Sequence, residues 1–115
     1  MIALCNPHHG PLASDHIAEM FTPQVKIDEH LSWALGFGVE HTSDGNAVWH
    51  WGADDGAATF FVLDAEQRVG VVALTNGGNG REVYKRLVYD VLPGNHPSLE
   101  TESSAEWLRL TAEQG

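Results

Sequence analysis

Residues 49 to 56, Trp49-His50-Trp51-Gly52-Ala53-Asp54-Asp55-Gly56, hold the side chains best suited to chemistry in this chain. Side chains alternate along an extended strand, so His50 points away from the face that carries Trp49 and Trp51. An imidazole titrates near neutrality and can move a proton or contact a carboxylate. Gly52 removes a side chain where another group can approach the backbone. A His-x-Gly of this kind is how an enzyme lays a strand edge along a substrate. The plainer readings are a histidine hydrogen-bonded between tryptophans and a glycine at an ordinary bulge. No other side chain in the 115 residues has the setting of a nucleophile to go with it.

Other constellations carry less. Adjacent His8 and His9 with His16 could suggest a metal, but sequence neighbours rarely ligate together without a defined third partner. No Cys/His spacing here matches a zinc site, so a solvated loop is expected, with no metal and no cofactor. Asp54 and Asp55 face opposite ways if extended and read as turn chemistry. Gly77-Gly78-Asn79-Gly80 at a helix start could cradle an anion. It lacks the Lys and Ser/Thr of a phosphate loop, so a strand-to-helix turn is expected. Trp33, Trp49 and Trp51 read as core or cleft wall.

These residues need elements to hold them. Residues 1 to 12 read as an irregular leader, broken by Pro7, Gly10 and Pro11. Ser14 or Asp15 can cap a short helix to about Phe21, which Thr22-Pro23 stops. Residues 24 to 30 are polar connection. Trp33, Leu35, Phe37 and Val39 alternate with Ala34, Gly36, Gly38 and Glu40, a period-2 pattern for one strand. Ser43-Asp44-Gly45-Asn46 signals a hairpin turn, with Ala47 to Gly52 as the return strand. Strands follow at Ala58–Leu63 and Val69–Thr75, then a helix over about Arg81 to Leu92 with Val83, Leu87, Val88 and Val91 on one stripe. Pro93-Gly94 ends it. Residues 98 to 115 form an acidic tail in which Trp107, Leu108 and Leu110 can make a short helix. The expected fold is therefore α+β: a four-stranded antiparallel meander, a short helix before it and a helix packed on it after it, spanning residues 13 to 97.

Bulk composition narrows the partners. Six basic and sixteen acidic residues give a formal charge of −10, which opposes binding to nucleic acid. The 43% hydrophobic content is globular. No apolar run approaches a membrane span. Met1-Ile2-Ala3-Leu4-Cys5 lacks the basic region and apolar stretch of a signal peptide, and Leu4 is bulky where a lipid-attachment site wants a small residue. As written the chain reads as untargeted and cytoplasmic. Cys5 is the single cysteine, so no internal disulfide forms. The last two strands are apolar on both faces: Val69, Val71 and Ala73 oppose Val72 and Leu74, and Phe60 and Val62 oppose Phe61 and Leu63. Such strands need cover on both sides, and the helices expected here cover one. A homo-oligomer or a complementing N-terminal portion is the expected partner.

Leu35-Gly36-Phe37-Gly38-Val39, Trp49-His50-Trp51-Gly52, Phe60-Phe61-Val62-Leu63-Asp64 and Val69-Gly70-Val71-Val72-Ala73-Leu74-Thr75-Asn76 resemble, in order and spacing, the C-terminal part of the serine β-lactamase-like hydrolases. That family includes class C β-lactamases, penicillin-binding DD-peptidases and related esterases. The resemblance covers about residues 12 to 97. It implies a site where three motifs meet: S-x-x-K with the nucleophilic serine, Y-x-N with a second proton-handling group, and K-T-G or H-x-G on a strand lining the cleft. His50-Trp51-Gly52 corresponds to the third. His50 would contact the carboxylate or carbonyl end of an amide or ester substrate, or tune proton transfer. The Ala53 N–H would be one of two oxyanion donors, worth on the order of 10²–10³ in rate. Trp49, Trp51 and Asp54 would line the substrate. No serine here is followed three residues later by lysine, and neither Tyr84 nor Tyr89 opens a Y-x-N. The resemblance therefore implies the C-terminal fragment of a longer hydrolase, inactive alone; a non-catalytic assembly module is the competing expectation.

Overall fold

The structure, a computed structural model, describes residues 2–6 and 10–100. Two short helices, α1 (Ile2–Cys5) and α2 (Ser14–Phe21), precede six strands. These are β1 (Val25–Lys26), β2 (Leu31–Trp33), β3 (Gly38–Thr42), β4 (Gly45–Asp54), β5 (Ala57–Asp64) and β6 (Val69–Thr75). Helices α3 (Gly80–Val91) and α4 (Pro97–Glu100) follow. The α+β class stands, and the sheet is an antiparallel meander in sequence order. It has six strands, not four.

Both added strands come from misread turns. The alternating run 33–39 is a strand end, a tight turn and a strand start: Ala34 N–H donates to the Phe37 carbonyl at 2.8 Å, and Gly36 sits at φ +83°. Small residues at every second position imitated a strand's second face, while Gly36 supplied the left-handed conformation a turn needs. In the supposed polar connection, the Asp28 carboxylate accepts the His30 and Leu31 N–H groups at 2.8 and 2.9 Å. That side-chain turn brings β1 back along β2, pairing Val25 with Trp33.

The helix ends also differ in detail from expectation. Ala13, not Ser14 or Asp15, is the N-cap of α2, with no side-chain cap bond. Pro23 still limits the helix, and the Thr22 hydroxyl closes it by donating to the Ala18 carbonyl at 2.8 Å. Ile2–Cys5 form a helical turn inside the segment expected to be irregular. Of the acidic tail, Pro97–Glu100 form α4; Trp107, Leu108 and Leu110 lie outside the described residues.

Strand alternation sorts the sheet into two apolar faces. On one, Trp49, Phe60, Val62, Val71 and Ala73 pack under Tyr84, Val88, Leu92 and Leu99 from α3 and its continuation. On the other, Val39, Val48 and Leu63 meet Leu4, Cys5, Phe21 and Phe37. The second face is thus covered from within the chain at one end, which corrects the expectation of one covered face. At the β5–β6 end it is bare: Val72 is 53% exposed and Leu74 78%. The buried stripe of α3 is Gly80, Tyr84 and Val88, whereas Val83, Leu87 and Val91 face outward. Arg81, Lys85 and Tyr89 reach α4, which lies over β3, so the outward stripe is on the flank towards β6.

Candidate functional site

The two halves of β4 have different surroundings. Residues 45 to 49 pair with β3, and that pairing ends at Trp49 with Gly38. His50 to Asp54 continue the strand paired only with β5, from Phe61 to Ala57. Among the described residues, His50, Trp51, Gly52, Ala53 and Asp54 therefore form a sheet edge open on one side. An open edge offers unpaired backbone N–H and C=O groups to whatever lies along it. Ala53 and Asp54 are exposed, and Trp51 and Gly52 half-buried.

His50 projects from this edge onto the partly bare face and is exposed. Its Nδ1 lies 2.7 Å from the Trp51 carbonyl oxygen. A carbonyl only accepts, so Nδ1 carries the proton and Nε2 of a neutral ring is left as an acceptor. The Trp33 ring lies 5.8 Å from the imidazole, between centroids, and steadies it from one side. Beside His50, an open apolar depression runs over Gly52, Thr59, Phe61, Val72 and Leu74.

Trp49 turns away from this depression. It is buried on the α3 face, its ring 5.2 Å from Trp33 and stacked on Phe60 at 6.5 Å. The indole lies flat over Gly38, where a Cβ would approach ring carbons at 2.5 and 2.7 Å. Its Nε1 is buried with no hydrogen-bond partner among the described residues. Trp49 is thus a wall behind the edge and does not reach the side on which His50 stands. Trp51 shares that face and packs against the same cluster.

Gly52 has a close neighbour on the adjacent strand. A Cβ there would meet Thr59 Oγ1 at 2.6 Å, and that hydroxyl donates to the Gly52 carbonyl at 3.3 Å. The adjacent strand thus makes one close approach to this backbone. Asp54 behaves as its turn chemistry dictates: its carboxylate accepts the Asp55 N–H at 2.8 Å. The structure therefore brings His50, Gly52, Ala53 and Asp54 along one edge, and sets Trp49 behind it.

No group of three His, Cys, Asp or Glu residues that could hold a metal occurs among the described residues. His8 and His9 lie outside them. No helix among them is long and apolar enough to cross a membrane. Sequence reading missed one polar cluster, Glu40, His96 and Ser98, buried between β3 and the start of α4. The signal was available: Glu40 alternates onto the same face as Ala47 and Trp49, an inward position for a charge.

No family model matches the chain, and comparison with curated proteins finds no match. Among solved structures, the penicillin-binding protein from Bacillus halodurans is similar in fold, with a TM-score of 0.65 at 17% identity. The match covers 75% of this chain and 26% of that one, so the chain spans about a quarter of the length of the protein it resembles. At this identity the two share a fold over the matched part.

Proposed function

We propose that this chain is the cleft-lining sheet of a serine β-lactamase-like hydrolase that cleaves an amide or ester through an acyl-enzyme. The observation that carries the reading is the open edge His50–Asp54, its H-x-G at the point where pairing with β3 stops. The shared fold with part of a penicillin-binding protein supports it. In this reading a substrate lies along the edge. With Nε2 protonated, His50 donates to the substrate's carboxylate or carbonyl end; with Nε2 as an acceptor, the ring takes part in proton transfer. The Ala53 N–H is one oxyanion donor. Trp51 and Asp54 flank the substrate, and Trp49 keeps the strand flat against the core. The serine and lysine that form the acyl-enzyme come from a portion outside this sequence, which also covers Val72 and Leu74. The chain alone is then inactive.

The test has two arms. The purified chain is assayed with a chromogenic cephalosporin and a p-nitrophenyl ester, and no turnover is expected. The reading frame upstream of the Met1 codon is then examined for S-x-x-K and Y-x-N, and the longer product is assayed. Turnover by the short chain, abolished by a serine-directed inhibitor, would overturn the assignment of the nucleophile. A longer product without those motifs would overturn the family reading.

The bare apolar edge favours a second reading: a non-catalytic module that self-associates through β6 and the outward stripe of α3. Exposed apolar side chains grouped in this way mark interaction surfaces. Sedimentation at several concentrations separates the two, since a compact monomer throughout refutes self-association.

A further inference from the structure

Glu40 on β3 is 1% exposed and holds two residues of the segment after α3. Its Oε2 accepts the Ser98 hydroxyl at 2.6 Å and the Ser98 N–H at 3.2 Å. Its Oε1 lies 2.7 Å from Nδ1 of His96, whose Nε2 lies 2.7 Å from the Leu92 carbonyl oxygen. The proton positions follow from these partners. A carbonyl cannot donate, so Nε2 carries hydrogen. The Glu40 carboxylate takes two donors on Oε2 and meets Nδ1 with Oε1, the arrangement of an acceptor on all three contacts, so Nδ1 carries hydrogen as well. Both ring nitrogens are then protonated, and the buried ring is an imidazolium.

We propose that His96, Glu40 and Ser98 form a protonation-dependent latch. It holds residues 92–100 against the sheet while the ring carries two protons and releases them when it loses one. Of the groups facing the ring, Glu40 and Asp44 favour the cation. Asp44, from the β3–β4 turn, accepts the Asn95 N–H at 2.9 Å. Asp64, at the end of β5, lines with Asp44, Glu40 and His96 a cavity of about 30 Å³. Tyr89, from α3, packs its ring 5.7 Å from the imidazole and donates its hydroxyl to Glu100. The pKa of His96 is raised, chiefly by the hydrogen bond to Glu40, against burial, which lowers it, and with help from the Leu92 carbonyl.

Losing the Nδ1 proton sets a nitrogen lone pair against Oε1 and leaves a buried carboxylate with less compensation, which is costly in a dry site. The segment that would leave carries Leu99, a member of the same apolar cluster as Leu31 and Trp49. Release therefore loosens the wall behind the β4 edge. The latch stands on its own contacts and does not depend on the hydrolase reading.

The sign is definite. A ring whose folded pKa is raised stabilises the closed segment fully below the unfolded value, about 6.5. That stabilisation is lost as pH rises through the folded value. Between the two, one proton is linked to opening, so the open population grows about tenfold per pH unit.

The experiment uses the whole chain. Long-range ¹⁵N–¹H correlation across a pH series should show the His96 ring, identified by its absence in His96→Gln, keeping both ring protons above the ordinary imidazole value of about 6.5. Amide protection of Asn95, Ser98 and Leu99, corrected for intrinsic exchange, should fall with that one-proton slope above about pH 6.5. Ser98→Ala, which keeps the ring, should lower protection several-fold, while His41→Gln at the half-buried end of β3 should not. A ring at position 96 that loses its second proton at or below about pH 6.5 overturns the proposal. So does protection in the unaltered chain that is independent of pH.

Discussion

Gly38 and Gly52 both sit in strands and both oppose a close neighbour, yet replacing each by alanine should have unequal consequences. At Gly38 the new Cβ lands 2.5 and 2.7 Å from carbons of the Trp49 indole and closer still to Cε2. Non-bonded carbons sit at about 3.5–4.0 Å, so the ring must move by roughly 1 Å. It has nowhere to go, being rigid, buried, stacked on Phe60 and flanked by Trp33. Overpacking of this kind costs about 1–3 kcal/mol, and the severity of the contact places Gly38→Ala at about 2–3 kcal/mol. At Gly52 the new Cβ meets only the Thr59 hydroxyl, which can rotate away at the loss of one 3.3 Å hydrogen bond. That loss, of order 0.5–1.5 kcal/mol, is offset by the gain of about 0.5–1 kcal/mol from removing a strand glycine. Gly52→Ala should lie within about 1 kcal/mol of the parent. Thermal unfolding followed by circular dichroism resolves the difference, because about 4 °C of Tm corresponds to ~1 kcal/mol at this chain length. A loss of ~8–12 °C for Gly38→Ala beside a change under ~4 °C for Gly52→Ala is the expected pair. Equal effects of the two, or a neutral Gly38→Ala, would refute the packing assigned to Trp49.

Gly80→Ala should destabilise by at least about 2 kcal/mol in urea titration, because its Cβ would press 2.7 Å from Thr75 Cβ, whose hydroxyl is held by the Ala58 carbonyl. Leu74→Thr removes an apolar group that is 78% exposed and should leave Tm within a few degrees while reducing any concentration-dependent sedimentation. Unchanged association would place the interface elsewhere. Lys85→Met breaks the 2.9 Å pair with Glu100 between half-exposed side chains and should cost under about 1 kcal/mol, less in high salt. Glu100 is held below its ordinary pKa by hydrogen bonds from Lys85 and then Tyr89. That small contribution is present above about pH 4.3 and lost as pH falls through the folded value, so the Lys85→Met difference should vanish in acid.

How much could be read in advance varied with the kind of signal. The strands from Ala47 onward were legible because their alternation is flanked by Asp-Gly and Asp-rich turns, which leave little choice of register. Helix α3 was legible as a helix, but its buried side was not. Two apolar rows lie on it, and only contact with β5 and β6 chose Tyr84 and Val88 over Val83 and Leu87. The run 33–39 failed because a turn built from alternating glycines has a strand's period. The H-x-G stood out by residue type, whereas its open edge depends on where β3 stops.

Residue pattern alone determined the antiparallel class, the place of His50 on the face opposite Trp49, and the shortage of cover over Val72 and Leu74. Each of these follows from period and composition, which act locally along the chain. Tertiary structure decided that Gly52 answers to Thr59, that Gly38 answers to Trp49, and that Glu40 is neutralised by a histidine 56 positions away. Such pairings join residues remote in sequence. The physical reason is that close packing and hydrogen-bond satisfaction are conditions on space, and spacing along a chain does not encode them directly.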